Sequence, residues 1–223
     1  MANTLTLEKN KKENTSEKVE GFMTKNRVLI LVIAAVLVVA AVVVGLVFGL
    51  KDSSSKKAIS EIDEIEYRLV NNSEELSEED AVLRLEACAE DVKAYTSKGG
   101  NAGVRANMLY ASVLTQLGNY SDAASSYVKA YSLSKKNYTA PLCAYNAAAC
   151  YEESGDSESA AKYYEIASKD FDMAPHALIS LGRVQESRGN TDAAVRAYQK
   201  VVDEYSTDNW SYIAQDRLIV LEK

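Results

Sequence analysis

Three glycines set the frame of this chain. Gly118, Gly155 and Gly189 recur at an interval of roughly 34 residues. A polar turn follows each, then a small residue (Ala123, Ala160, Ala194) and an aromatic four positions on (Tyr127, Tyr164, Tyr198). A small or apolar residue lies three beyond that (Ala130, Ala167, Val201). This period and this spacing predict stacked helix-turn-helix hairpins, because one hairpin cannot bury its apolar face alone. Ala111, Ala148 and Gly182 sit upstream of each glycine, where small residues let the two helices of a hairpin approach closely. Pro141 and Pro175 fall at helix starts, where a missing backbone N–H costs nothing. Only two prolines and ten glycines punctuate the chain, which favours helix over sheet.

On these residues the chain resembles the tetratricopeptide repeat (TPR) family, which implies an all-α solenoid of helical hairpins used for protein binding. Three repeats are expected, at 104–137, 141–174 and 175–208. Upstream, Ile59, Ile62, Ile65 and Leu69 form a helical stripe. Ser77-Glu-Glu-Asp80 opens a second helix as a capping box, in which Ala81, Leu85 and Cys88 repeat the small, large, small spacing of the later second helices. Residues 59–103 therefore read as a degenerate first hairpin. Residues 209–223 are expected as a capping helix, with Trp210, Ile213, Leu218 and Leu221 inward and Gln215, Asp216 and Arg217 in solvent.

The N-terminal stretch, 1–27, is polar and mixed in charge, a tail with too little apolar surface to fold. Val28 to Leu50 then runs without a charged side chain. As a helix it spans roughly 35 Å, enough for the roughly 30 Å bilayer core. A cleaved signal peptide fits less well: the run is too long and no Ala-x-Ala site follows. A single transmembrane helix is expected, with residues 51–58 as a linker. Six Lys/Arg precede the run and four follow within residues 51–70, which places the N-terminus in the cytoplasm and the repeats outside it, across a bacterial inner membrane. A single span before an acidic repeat domain is also similar in layout to bacterial envelope and translocon-associated TPR proteins.

The chemistry of a catalyst is not apparent. Phosphate loops, nucleophile elbows and His-Glu-x-x-His motifs are missing, so neither an enzyme nor a cofactor or metal is expected. His176, the single histidine, reads as a solvated residue in a first turn. Glu152/Glu153 and Glu78/Glu79 read as solvated faces or helix N-terminal charges. Cys143 and Cys150 are seven apart on one helix, roughly 10 Å by helical rise and too far for a disulfide. Cys88, Cys143 and Cys150 thus read as small buried hydrophobes. Residues 28–223 carry 19 basic against 28 acidic side chains, a net −9, which argues against nucleic acid as a partner.

Binding is what remains. The resemblance implies a concave groove lined by first helices. The matching positions are Arg105, Met108, Ser112 and Thr115; then Leu142, Tyr145, Ala149 and Glu152; then His176, Ile179, Arg183 and Glu186. The carboxylate clamp of some family members is not reproduced: Asn146 fits one of its places, but Met108, Ser112, His176 and Ser180 occupy others. A mixed groove of this kind suits an amphipathic or extended peptide rather than a small-molecule substrate. The expected function is a membrane-anchored interaction scaffold for envelope or secretion machinery. The alternatives are a holder of unfolded secreted clients or, with inverted topology, a cytosolic docking receptor.

Overall fold

The computed structural model describes residues 22, 24–71, 76–135, 137–170 and 172–221, without the side chains of 28–35 and 46–51. In order it runs α1 (Arg27–Val70), α2 (Glu78–Lys93), α3 (Gly100–Gln116), α4 (Tyr120–Ser134), α5 (Ala140–Glu153), α6 (Ser157–Ala167), α7 (Ala174–Ser187), α8 (Thr191–Glu204) and α9 (Asn209–Leu221). The chain divides into two compact units, residues 1–54 and 55–223. Apart from 22 and 24–27, the expected tail lies outside the described residues.

In the first unit, the side chains described within the expected span are those of residues 36–45. Among the described residues no helix is long and apolar enough to cross a membrane. The expected linker at 51–58 is not a break: it lies within α1. No proline or glycine interrupts it, three serines cost only tenths of a kcal/mol each, and propagating a helix is far easier than nucleating one.

In the second unit, the α-solenoid is built from paired helices. Ile62 and Ile65 of α1 pack with Cys88 and Val92 of α2 and with Ala106, Leu109 and Val113 of α3. Arg68 reaches Asp91 at 2.9 Å and the Tyr95 hydroxyl donates to Glu61 at 3.1 Å, joining the ends of this hairpin. The Ser77 side chain accepts the N–H of Asp80 at 3.2 Å and caps α2. Gly100 opens α3 rather than closing α2, so this first helix begins ahead of the expected 104.

The repeat glycines end first helices. Gly118, Gly155 and Gly189 have φ of 76°, 84° and 74°, the left-handed turn that a side chain resists. The N–H that follows each glycine then reaches back past the last turn: Asn119 to Leu114, Asp156 to Tyr151 and Asn190 to Gln185, at 2.8–2.9 Å. Tyr127, Tyr164 and Tyr198 are buried, with Ala123, Ala130, Ala160, Ala167, Ala194 and Val201 beside them. Each such aromatic contributes roughly 2 kcal/mol through burial. Asn107 is also buried, and its amide donates to the carbonyls of Thr96 and Gly103 at 2.9 and 2.7 Å. Gly182 lies so close to the Tyr198 ring that an added Cβ would fall 2.5 Å from it.

The C-terminal helix follows expectation at Trp210, Leu218 and Leu221 and departs from it at Ile213. Its buried residues are Ser211 and Ala214, with Trp210, Leu218 and Leu221 half-buried, whereas Ile213 is exposed. A Trp indole and a Leu at the edges of the helix cover α7 and α8, so the small residues between them take the closest approach.

Candidate functional site

The first helices of the repeats, α3, α5 and α7, carry the residues expected to line the groove. Arg105, Met108 and Ser112 of α3 do share a cleft of about 660 Å³. Asn146 of α5, Tyr127 of α4 and Ile59 and Glu66 of α1 complete its walls, with Asn137, Tyr138 and Thr139 from the α4–α5 loop. Arg105 is tied to the wall by ion pairs with Asp63 and with Glu66, the latter at 2.7 Å. Tyr138 is 94% exposed, and the Thr139 hydroxyl is buried without a partner among the described residues.

The remaining groove candidates are placed elsewhere. Tyr145 is half-buried, edge-on to Tyr164 at 5.3 Å, with its hydroxyl 3.5 Å from Ser180. Leu142 is exposed and Ile179 is half-buried against the α7–α8–α9 core. His176 is not simply solvated: its ring lies 4.3 Å from that of Trp210, whose indole N–H donates to Nε2 at 3.1 Å.

Glu152 and Arg183 are brought together for a structural reason. Glu152 accepts the Tyr164 hydroxyl at 3.0 Å and takes Arg183 on both oxygens, one contact at 2.9 Å. Glu186 repeats this with the Tyr198 hydroxyl at 2.6 Å and with both Nε and Nη2 of Arg217, the former at 3.1 Å. Within each of the pairs Glu152/Glu186, Tyr164/Tyr198 and Arg183/Arg217, the two members stand one repeat period apart. Each clasp thus joins both helices of one hairpin to the helix that follows, α7 in one case and α9 in the other. The reading of Glu152 as part of a solvated face is corrected: its side chain is 22% exposed and that of Glu186 17%. Arg217 is exposed, as expected, and is engaged with Glu186 as well.

The electrostatics follow the geometry. Burial, then the charge of Glu152, pushes the Tyr164 phenol up, and burial with the Glu186 hydrogen bond does the same to Tyr198. Arg217 holds the Glu186 carboxyl below its ordinary value. Burial raises the thiols of Cys88 and Cys143 to about 11, and all three cysteines are buried and free. At such values the thiolate is scarce at neutral pH, so these groups are poor nucleophiles.

In the first repeat the clasp is missing. Thr115 and Ala149 take the acid and arginine positions, and Thr115 Oγ1 donates to the Ala111 carbonyl at 2.8 Å. Tyr127 therefore faces Ser112 and Thr115 instead of a carboxylate. Burial still raises its phenol, while those two hydroxyls pull it back. The unit without the clasp is the one with the cleft. Sequence reasoning missed Asn137–Thr139, although a signal was present. The interval from Gly118 to Pro141 is longer than that from Gly155 to Pro175, and the surplus lengthens α4, 15 residues against 11 in α6, which carries this connection further along.

Comparison with known proteins agrees with this architecture. Tetratricopeptide repeat families match residues 104–137 and 145–209. A TPR repeat-containing protein of Treponema pallidum (strain Nichols) is 30% identical over 148 residues, 65% of this chain and 60% of that relative's length. The chain thus spans less than two thirds of the curated relative it matches. Two crystal structures of kinesin light chain TPR-like repeats from Podosopora anserina, one of them a point variant, align with TM-score 0.54 at 14% identity. They cover 75% of this chain and 85% and 86% of theirs, a likeness of fold alone. The chain carries tetratricopeptide repeats on an all-α solenoid, a fold typical of non-enzymatic interaction scaffolds.

Proposed function

We propose that this chain is a membrane-anchored scaffold that holds a partner's peptide segment in the cleft between α3 and α5. The observation that carries the reading is the cleft itself, about 660 Å³ and walled by Met108, Ser112, Asn146 and the exposed Tyr138. Its mixture of apolar surface and side-chain amides suits an extended or amphipathic backbone with its own donors and acceptors. Residues 28–50 serve as the anchor. Val36, Leu37, Val38 and Val39 are consecutive and 61–64% exposed, hence apolar on every side of the helix, which water disfavours and hydrocarbon accepts. The charge bias supports repeats on the extracytoplasmic face of a bacterial inner membrane, where envelope or secretion machinery would be the partner.

The cleft is tested by a photo-crosslinking residue at Met108 or Asn146 and, as a control, at Arg188. One shared adduct from the first two sites, lost on Ser112→Arg, is expected. Equal labelling from Arg188 refutes the cleft, and a broad smear of unfolded clients favours the holder reading. Carbonate extraction of the full chain and of a variant lacking 28–50 tests the anchor. A reporter fused after Lys223 reads the orientation, and activity on the cytoplasmic side would make the repeats a docking receptor there.

A further inference from the structure

The face away from the cleft carries a second opening, about 430 Å³, between α2 and α3. Its floor is Tyr110, Leu114 and Leu117, and its α2 wall includes Val82, Ala89, Glu86 and Glu90. One unit on, the matching junction is filled by the chain's own aromatics. Tyr163 of α6 stacks on Tyr151 of α5 at 5.6 Å and meets the edge of Tyr131 of α4 at 6.3 Å. Lys162 stands over the Tyr163 ring at 5.5 Å, and Lys135 over Tyr131 at 5.9 Å.

At the α2–α3 junction the places of the three rings and of Lys162 are taken by small or aliphatic residues, while Lys93 keeps the place of Lys135. With Gly118 laid on Gly155, Leu114 replaces Tyr151 and Ser125-Ser126 replaces Lys162-Tyr163. With Ala81 and Cys88 laid on Ala123 and Ala130, Ala89 replaces Tyr131. Part of the volume occupied elsewhere by stacked rings and a lysine is open here, over a floor to which Tyr110, in the place of Ala147, supplies one ring. The wall beside it gains what the other junction lacks: Glu86 and Glu90, one helical turn apart on α2, where the same alignment puts Val128 and Ser132 on α4. Neither carboxylate has an ion pair among the described residues, where Lys93 is the one cation on that wall.

We infer that this opening is a docking site for a partner segment presenting an aromatic side chain next to a lysine or arginine. The ring takes the place of Tyr163 over Leu114, and the cation meets Glu86 and Glu90. The surface is separate from the α3–α5 cleft, so the inference stands or falls independently of the proposed function.

The test uses the full chain in mild detergent. The probe is a fluorescein-labelled, alanine-rich helical peptide with one Lys-Tyr pair at its centre, read by anisotropy. Saturable binding is expected, weakened about tenfold or more when the peptide's Lys becomes Glu or its Tyr becomes Ala. Glu86→Lys with Glu90→Lys is expected to weaken it as much, whereas Met108→Glu in the cleft leaves it unchanged. Ser126→Tyr, which rebuilds the plug from within, is expected to raise the melting temperature and abolish binding. A Ser126→Tyr protein that folds yet binds as before overturns the proposal, as does tight binding that ignores both glutamates. Sedimentation showing a dimer of the unliganded chain that Ser126→Tyr dissolves overturns it in favour of a second copy of this chain.

Discussion

The phenol of Tyr198 donates to Glu186 at 2.6 Å, and the phenol of Tyr164, one repeat earlier, donates to Glu152 at 3.0 Å. In both cases an arginine from the helix that follows the hairpin closes the arrangement. Each carboxylate lies within the last turn of a first helix, just before the glycine that ends it, so the turn geometry sets its position.

Removing that carboxylate strands two donors. Glu186→Ala is expected to lower stability by about 1–2 kcal/mol, since hydrogen bonds to charged groups are worth about 1.5–3 and this one is partly solvated. Urea unfolding followed through Trp210, the single tryptophan, reports the change. Tyr198→Phe should cost less, and the double variant less than the sum, because the two residues share one network.

Acid should open the same contact. The Glu186 carboxyl is held low by Arg217 in the fold, so its contribution is present above the unfolded carboxylate value and is lost as pH falls through the depressed folded one. Glu186→Gln keeps an acceptor and removes the titration. Its stability curve against pH should therefore flatten on the acid side. An acid limb identical to that of the parent chain would remove Glu186 as a contributor.

At high pH the buried thiols act in the opposite sense. Cys143 moves from an ordinary 9.0 to about 11 through burial, so the fold holds it protonated where the unfolded chain ionises. Its contribution is complete below the ordinary value and disappears as pH rises through about 11. Dithionitrobenzoate should label the native chain only as fast as it opens, with rates rising on added urea. Fast native labelling would show the thiols to be accessible.

Two glycines are required for different reasons. A Cβ at Gly103 would collide with the Lys98 carbonyl, which is backbone and cannot swing away. At Gly182 it would meet the Tyr198 ring, which can tilt. Both alanine variants should lower the melting temperature, Gly103→Ala by the larger amount, with overpacking costs of about 1–3 kcal/mol. The reverse ranking would show that the α2–α3 connection moves more readily than the α7–α8 core.

The packing was legible because it is periodic. Ala123, Tyr127 and Ala130 repeat at Ala160, Tyr164 and Ala167, and the fold buries all six. The clasps were not, because each is assembled from three helices. Glu152 and Arg183 each look like an ordinary solvated charge, and their partnership appears only once α7 is laid beside α5. The same holds for His176, whose contact with Trp210 comes from a full repeat away in the sequence. At the cleft, Arg105, Met108 and Ser112 followed from the repeat register, whereas Tyr138 belongs to a loop that the repeat pattern does not specify.

A clasp in which a hairpin borrows its arginine from the helix that follows gives the array a direction in time. During synthesis, Glu152 and Tyr164 emerge before Arg183, and Glu186 and Tyr198 before Arg217. Each of the two clasped units thus waits for its successor before its own carboxylate is fully partnered. In the finished chain, loosening α9 deprives Glu186 of Arg217, and loosening α7 deprives Glu152 of Arg183. In the two clasped repeats, closure therefore follows the order in which the helices are made.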